Sequence, residues 1–154
     1  MEQTTAPPLT IEEGSIDLIR DLGDKLIESN WNETGLDHGV LDPDWNRYYV
    51  AEEANMLSVL VVRAGDEIVG YSVTLILTHN HYQSLLTAQN DVLFVEKGWR
   101  DTGIGLRLIR EAEKAARDRG ADWIIWGAKR ATNLEYLMPR MGYRVLDVLF
   151  SKEL

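Results

Sequence analysis

The spacing of apolar residues changes character along the chain, and each change marks an element. Leu9-Thr10-Ile11-Glu12 is a short candidate strand. Ile16, Ile19, Leu22 and Leu26 then recur at helical spacing behind Gly14-Ser15, so a helix is predicted to about Ser29, with Ser15 as its N-cap. Asn30 to Leu41 is polar and rich in Asn, Gly and Asp, which reads as a loop. Asp42-Pro43-Asp44 opens a second helix, because proline suits a first helical turn. Trp45, Tyr48 and Tyr49 place aromatic mass along its side. From Met56 the pattern becomes β: Val- and Leu-rich to Arg63, a turn at Ala64-Gly65-Asp66-Glu67, then Ile68 to Thr78 with Tyr71, Val73, Leu75 and Leu77 on one face. A turn at His79 to Gln83 leads into a third strand, Ser84 to Val95, which completes an antiparallel meander.

Beyond Val95 the helical period returns. Leu108, Ile109, Ala112, Ala115 and Ala116 define a helix from Ile104 to Arg119, closed by Gly120. Asp122 to Trp126 is a short apolar strand, Thr132 to Met141 a short helix with Pro139 in its last turn, and Tyr143 to Lys152 one or two final strands. The predicted order is β-α-α-β-β-β-α-β-α-β. The strand ending at Val95, the helix from Ile104 and the strand at Asp122 form a βαβ crossover, which requires a parallel pair inside a mixed, mostly antiparallel sheet. The fold class is therefore α+β.

The 154 residues suit one domain, read as residues 1–154 with Met1 to Pro8 as a frayed lead-in. No apolar run approaches the roughly 18 residues of a membrane span. The N-terminus lacks the basic and apolar regions of a signal peptide, so the expected location is cytoplasmic, with no membrane partner. The absence of cysteine excludes disulfides, thiolate metal sites and cysteine nucleophiles. A net charge of −9 argues against broad nucleic-acid binding and favours cationic ligands.

The most informative stretch is Val95-Glu96-Lys97-Gly98-Trp99-Arg100-Asp101-Thr102-Gly103-Ile104-Gly105. A strand enters a glycine-bearing turn and the turn opens a helix, whose first N–H groups are free and carry partial positive charge. Such a terminus is a ready anion site. Gly103 and Gly105 leave the backbone open to a phosphate, and Arg100 adds a cation. A P-loop is excluded because Ile104-Gly105 stand where Lys and Ser or Thr belong. A dinucleotide fingerprint fails because Leu108 holds the third glycine position.

What remains resembles the acyl-CoA signature of the GNAT (acetyl-CoA-dependent N-acetyltransferase) superfamily, in which Arg or Gln precedes two glycines at fixed spacing: here Arg100, Gly103 and Gly105. Val95 and Trp99 also match, whereas Lys97 and Asp101 replace the family's frequent Pro and Gly. The resemblance spans roughly residues 57–150. It implies an acetyl-CoA cosubstrate and no metal, with the diphosphate held by Arg100, Asp101, Thr102, Gly103, Ile104 and Gly105. It implies a bulge near Phe94 that splays the strand from its parallel neighbour. Leu93, Phe94 and Val95 would then line a slot for the pantetheine arm, and Asn133 would contact CoA.

In that family the base commonly precedes the bulge, which points to Asp91 on the same face as Gln89, made more basic by partial burial. The family's acid is a tyrosine where this chain has Met138; Tyr136, two residues earlier, is the substitute candidate. A CoA thiolate can also leave without a positioned acid. His79, His81 and Tyr82 are candidates for lining an acceptor pocket near the splayed end, together with Gln89, Trp45 and Tyr49. Ordinary turn residues are the competing reading for the two histidines, and no third metal ligand accompanies them.

His79-x-His81-Tyr82, Gln89-Asn90-Asp91 and the ending Phe150 to Leu154 are further similar to acetyltransferase-like proteins of bacteriophages. The expected acceptor is a primary amine on a small molecule, a modified base or a protein lysine. The alternative is a non-catalytic acyl-CoA-binding or protein-interaction module. C-terminal strands or an exposed edge offer a route to a homodimer.

Overall fold

The computed structural model describes residues 7–34 and 40–154. Residues 1–6, most of the expected lead-in, and 35–39, part of the expected polar loop, lie outside the described residues. The elements are β1 (Leu9–Glu13), α1 (Ile16–Asp21), α2 (Gly23–Thr34), α3 (Trp45–Glu53), β2 (Leu57–Ala64), β3 (Glu67–His79), β4 (Tyr82–Val95), a 3-10 turn (Lys97–Thr102), α4 (Ile104–Asp118), β5 (Trp123–Ile125) and α5 (Asn133–Arg140). The sheet runs β1-β2-β3-β4-β5, antiparallel throughout except for the parallel β4–β5 pair.

Both faces of the sheet are covered, which is why β2 reads as an almost unbroken apolar run. Leu57, Val59 and Val61 of β2 join Ile16, Ile19, Leu26, Tyr71, Val73 and Phe94 under α1, α2 and α3. Leu60, Val62 and Ala64 alternate to the opposite face and pack on Ile104, Leu108 and Ala112 of α4. α4 thereby presses its whole apolar stripe on the sheet, and its N-terminus is fixed beside the end of β4.

Three expectations are corrected. The helix predicted from Ile16 to Ser29 is two helices, because Gly23 takes a left-handed φ of 63° after α1. α2 then continues to Thr34, so residues 30–34 are helical and not loop. No strand forms between Tyr143 and Lys152. Strand propensity there is high, but a strand needs a partner backbone, and this segment pairs with none among the described residues.

Candidate active site

The site is built where β4 stops matching its neighbours. On the β3 side, Val73 opposes Val92 and Thr74 opposes Asn90, so Asp91 is the extra residue of a bulge. On the β5 side, the last pair is Gln89 with Ile125. Beyond it, β4 has no strand partner toward β5, and the two strands part. The bulge lies three positions before Phe94, the expected place. Phe94 itself pairs regularly with Tyr71 and is buried.

Asn90 explains why the bulge is stable. Its Nδ2 lies 3.0 Å from Ser72 Oγ, 3.2 Å from Val73 O, 3.2 Å from Thr74 Oγ1 and 3.1 Å from Val92 O. The two N–H bonds of this amide are thus shared among backbone carbonyls on both sides of the broken ladder and two buried hydroxyls. Asn90→Leu is expected to destabilise the protein by about 2–4 kcal/mol, since it leaves several buried acceptors without a donor. Chemical denaturation of the two forms checks this.

Displaced by the bulge, Asp91 turns into the mouth of a cavity of about 1140 Å³. Its carboxylate is exposed, not partly buried as expected, and Tyr48 Oη donates to Oδ2 at 2.6 Å. The phenol of Tyr48 is held well above its ordinary pKa, first by burial and then by donating to Asp91. Tyr71 is raised by burial, against the opposing effect of the hydrogen bond from Asn30. A raised folded-state pKa means that these phenols contribute stability fully present below their unfolded value, near pH 10, and lost as pH rises through the folded value. Stability is expected to decline in alkali above about pH 10. Tyr48→Phe should remove one late-titrating phenol from the ultraviolet phenolate titration.

The phosphate turn closes the other end of the cavity. Gly103 has φ 80° and stands as the N-cap of α4 with no side-chain hydrogen bond, so the first helical N–H groups are not capped. A Cβ built at Gly103 or Gly105 meets nothing within 4 Å. The space before the helix is open, as an anion seat requires. Arg100 is braced there: its Nε donates to Val95 O at 2.7 Å and its guanidinium stacks 5.6 Å from the Phe94 ring centre. Its Nη2 meets Glu33 Oε2 of α2 at 2.7 Å, with Lys97 Nζ 3.9 Å from Oε1. Glu33 thus offers Arg100 the same contact that a diphosphate would. Glu33→Gln is expected to tighten acetyl-CoA binding about two- to five-fold, the range of a partly exposed ion pair. Calorimetric titration measures it.

The cavity brings together much of the predicted set. Leu93, Phe94, Val95, Arg100, Gly103, Gly105 and Asn133 line it, with Trp45 and Asp91 nearer the acceptor end. Asn133 is the first residue of α5, and Thr132 caps that helix by accepting from Glu135 N. Asp101, Thr102 and Ile104 are not in the cavity wall: the first two are exposed, and Ile104, the first residue of α4, is fully buried against the sheet.

Other candidates lie elsewhere. His79, His81 and Tyr82 cluster at the β3–β4 hairpin, with His79–His81 ring centres 5.8 Å apart and His79–Tyr82 5.0 Å. Tyr82 and Asp91 are nine residue steps apart along β4, about 30 Å at strand rise. The β4–β5 pairing breaks toward Val95, so the hairpin sits at the opposite end of β4 from the cavity. Gln89 is exposed and outside the wall, because the bulge cancels the alternation that would have aligned it with Asp91. Tyr49 faces α1, where its hydroxyl donates to Asp17 at 2.6 Å. Tyr136 is 61% exposed and outside the cavity, and the family's acid position holds the buried Met138.

Asn90, Glu33 and Asp42 also line the cavity and were not among the predicted residues, whereas Trp31 and Tyr48, which line it too, were expected as aromatics suited to a cationic acceptor. Asn90-Asp91 carried a usable signal, since two adjacent strand-averse residues inside an apolar strand suggest a bulge. Glu33 had no such signal, as its role depends on where α2 ends in space.

A sheet parted beside an uncapped, glycine-opened helix N-terminus is the arrangement that the resemblance to acyl-CoA-dependent acyltransferases implies. A family model for the GNAT acetyltransferase domain matches residues 44–145. The chain belongs to this family and is an N-acetyltransferase. GNAT acetyltransferases use acetyl-CoA as the acyl donor.

Among solved structures it is similar to an aminoglycoside acetyltransferase from an uncultured soil metagenomic sample, with TM-score 0.73, 19% identity and 95% of this chain and 96% of that one covered. It is also similar to glucosamine-6-phosphate N-acetyltransferase from Arabidopsis thaliana, with TM-score 0.69, 13% identity and coverage of 95% and 98%. A third is the ribosomal-protein-alanine N-acetyltransferase from Brucella melitensis biovar Abortus 2308, with TM-score 0.70, 16% identity and coverage of 96% and 99%. No curated protein sequence matches the chain significantly. No helix of the described residues is long and apolar enough to cross a membrane.

Proposed function

We propose that this chain acetylates a primary amine of a cationic small molecule by direct attack, with Asp91 accepting the amine proton through a water. The observation that carries this reading is the bulge. It frees Asp91 from the sheet ladder and sets it at the cavity mouth within 2.6 Å of Tyr48 Oη. Tyr48 orients the carboxylate and leaves its second oxygen for the amine or the bridging water.

The acceptor end supports a cation. Asp42 and Asp91 lie there with Trp31, Trp45 and Tyr48, and aromatic faces attract ammonium groups. The similar solved proteins are named for acceptors that include an aminoglycoside and an amino-sugar phosphate. The first of these suits two carboxylates better than the second, because a phosphate would meet like charge.

The helix N-terminus at Gly103 to Gly105 and the Arg100 side chain would hold the diphosphate, and Asn133 would contact the arm from α5. Acetyl-CoA, when bound, supplies an acetyl thioester whose C–S bond breaks as the new C–N bond forms. The backbone of Leu93 and the N–H of Val95, on the side facing away from β3, have no strand partner and are available to orient that arm and polarise its carbonyl, while Val95 O already accepts from Arg100. No tyrosine of α5 faces the cavity, so the thiolate is expected to leave without a positioned acid.

Thiol release measured over a panel of polyamines, aminoglycosides and amino sugars tests the reading. Turnover confined to acceptors with more than one positive charge supports it. Turnover only on neutral or anionic amines overturns the cationic assignment.

A further inference from the structure

The acceptor end of the cavity holds a polar group that the acetyl-transfer step leaves unused. Tyr71 of β3 is only 2% exposed, and it lines the cavity wall. Its hydroxyl is engaged from one side: Asn30 Nδ2 of α2 donates to Oη at 3.2 Å. A phenol that accepts from Asn30 still has its own proton to place. Around the ring pack Ile16, Ile19, Val73 and Phe94, whose side chains offer no acceptor. Among the described residues no group accepts this proton, so it is left for whatever fills the cavity. Burial raises the phenol's pKa, the Asn30 hydrogen bond opposes that, and the Asp91 carboxylate raises it further, so the group stays a donor at neutral pH.

This donor stands beside the candidate base. Tyr71 and Val73 share a face of β3, and Val73 opposes Val92, the neighbour of Asp91. Two strand residues span about 7 Å. That is a gap which an amine and a hydroxyl on one short chain or one small ring can bridge. The two anchors differ in kind. Asp91 attracts an ammonium, whereas an ammonium has no lone pair to offer Tyr71. A buried hydroxyl proton with no acceptor is costly. Water supplies the acceptor until a ligand expels it, and the ligand must then supply one itself.

We propose, on the same reading of the cavity as a cationic-amine site, that Tyr71 selects hydroxylated amines. Its O–H donates to a hydroxyl or ether oxygen carried close to the reacting amine, so amino sugars and amino alcohols are preferred to plain polyamines of equal charge. A plain polyamine fills the same space and leaves the phenol proton unmatched. Sites built to bond a hydroxyl reject analogues that lack it for this reason. Asn30 is the positioning residue: by occupying one side of the phenol oxygen, it keeps the proton free for the ligand.

Four acceptors separate the hydroxyl from the charge. Propylamine and isopropanolamine are monocations, and diaminopropane and diaminopropanol are dications. Thiol release with acetyl-CoA gives kcat/KM for each on the full chain. The expected result is a preference of about ten- to hundred-fold for the hydroxylated member of each pair, the range for leaving one buried donor unmatched. A hydroxyl also alters the amine's own basicity, but equally for every variant, so preferences are compared between variants. Tyr71→Phe should lower the preference about ten-fold or more. Asn30→Asp keeps the phenol but sets a carboxylate against it. The phenol then donates to the carboxylate, and the preference should fall in the same way. Acetyl-CoA binding and circular dichroism check the fold of both variants, and if Tyr71→Phe does not fold, Asn30→Asp decides.

Equal kcat/KM within each pair overturns the selection by hydroxyl, and faster dications in that case leave the cationic reading standing. A hydroxyl preference that survives the substitutions overturns its assignment to Tyr71. Turnover of the monocations alone overturns the cationic reading, while the ratio within that pair still decides the role of Tyr71. Turnover of none of the four overturns both.

Discussion

Gly103→Glu is expected to abolish acetyl-CoA binding, with at least a hundred-fold loss of affinity, about 2.7 kcal/mol or more, while the protein remains folded. Two effects add. Gly103 holds φ 80°, a conformation that costs a side-chain-bearing residue about 1–2 kcal/mol. The new carboxylate would also project from the helix N-terminus into the space reserved for a diphosphate, replacing an attractive partial charge with a repulsive full one. The fold should tolerate the change, because a Cβ at this position meets nothing within 4 Å. Gly103→Ala isolates the backbone effect and should lose much less affinity. Isothermal titration with acetyl-CoA, beside circular dichroism, separates these outcomes. Unchanged affinity in a folded Gly103→Glu protein would remove the diphosphate assignment.

Asp91→Asn should lower kcat about 10²- to 10⁴-fold, the range for removing a general base, with acetyl-CoA affinity within two-fold of the parent. The amide keeps the shape of the side chain and an oxygen that can still accept from Tyr48, so the bulge and the Tyr48 contact at 2.6 Å have no reason to collapse. What the proposed mechanism loses is the carboxylate that would take a proton from the attacking amine. Activity in the variant should recover partly at higher pH, where more of the acceptor amine is already neutral. A kcat unchanged at neutral pH would assign the proton transfer to another group. Tyr48→Phe offers a graded comparison: the carboxylate stays but loses its orienting partner, so a smaller kcat loss is expected than for Asp91→Asn.

Much of the architecture was legible before any coordinates. The meander of β2, β3 and β4, the turn at Gly65-Asp66, α4 and the parallel β5 were all predicted within one or two residues of their observed bounds. They share a cause. Alternation in a half-buried strand and the 3.6-residue stripe of an amphipathic helix are local signals of which face meets the core. The glycine-opened start of α4 was legible for the same reason, since Gly103, Gly105 and the helix that follows are contiguous in the chain. The missed features were non-local. His79 and His81 were aligned with the acceptor pocket because which end of β4 parts from β5 is not written in either strand alone. Gln89 and Asp91 were put on one face by a rule of alternation that a single inserted residue suspends.

The amino-acid sequence by itself determined most of the elements, their order, the βαβ crossover and the glycine-opened helix proposed to receive a diphosphate, because each depends on residues close together along the backbone. Only the tertiary structure decided that the bulge falls at Asp91, that Asn90 secures it, that Tyr48 reaches across from α3, and that Glu33 engages Arg100. It also decided that the strand-like C-terminal segment pairs with no strand among the described residues. Register, partner choice and the meeting of distant side chains are set by how the faces pack together, and no local pattern encodes that sum.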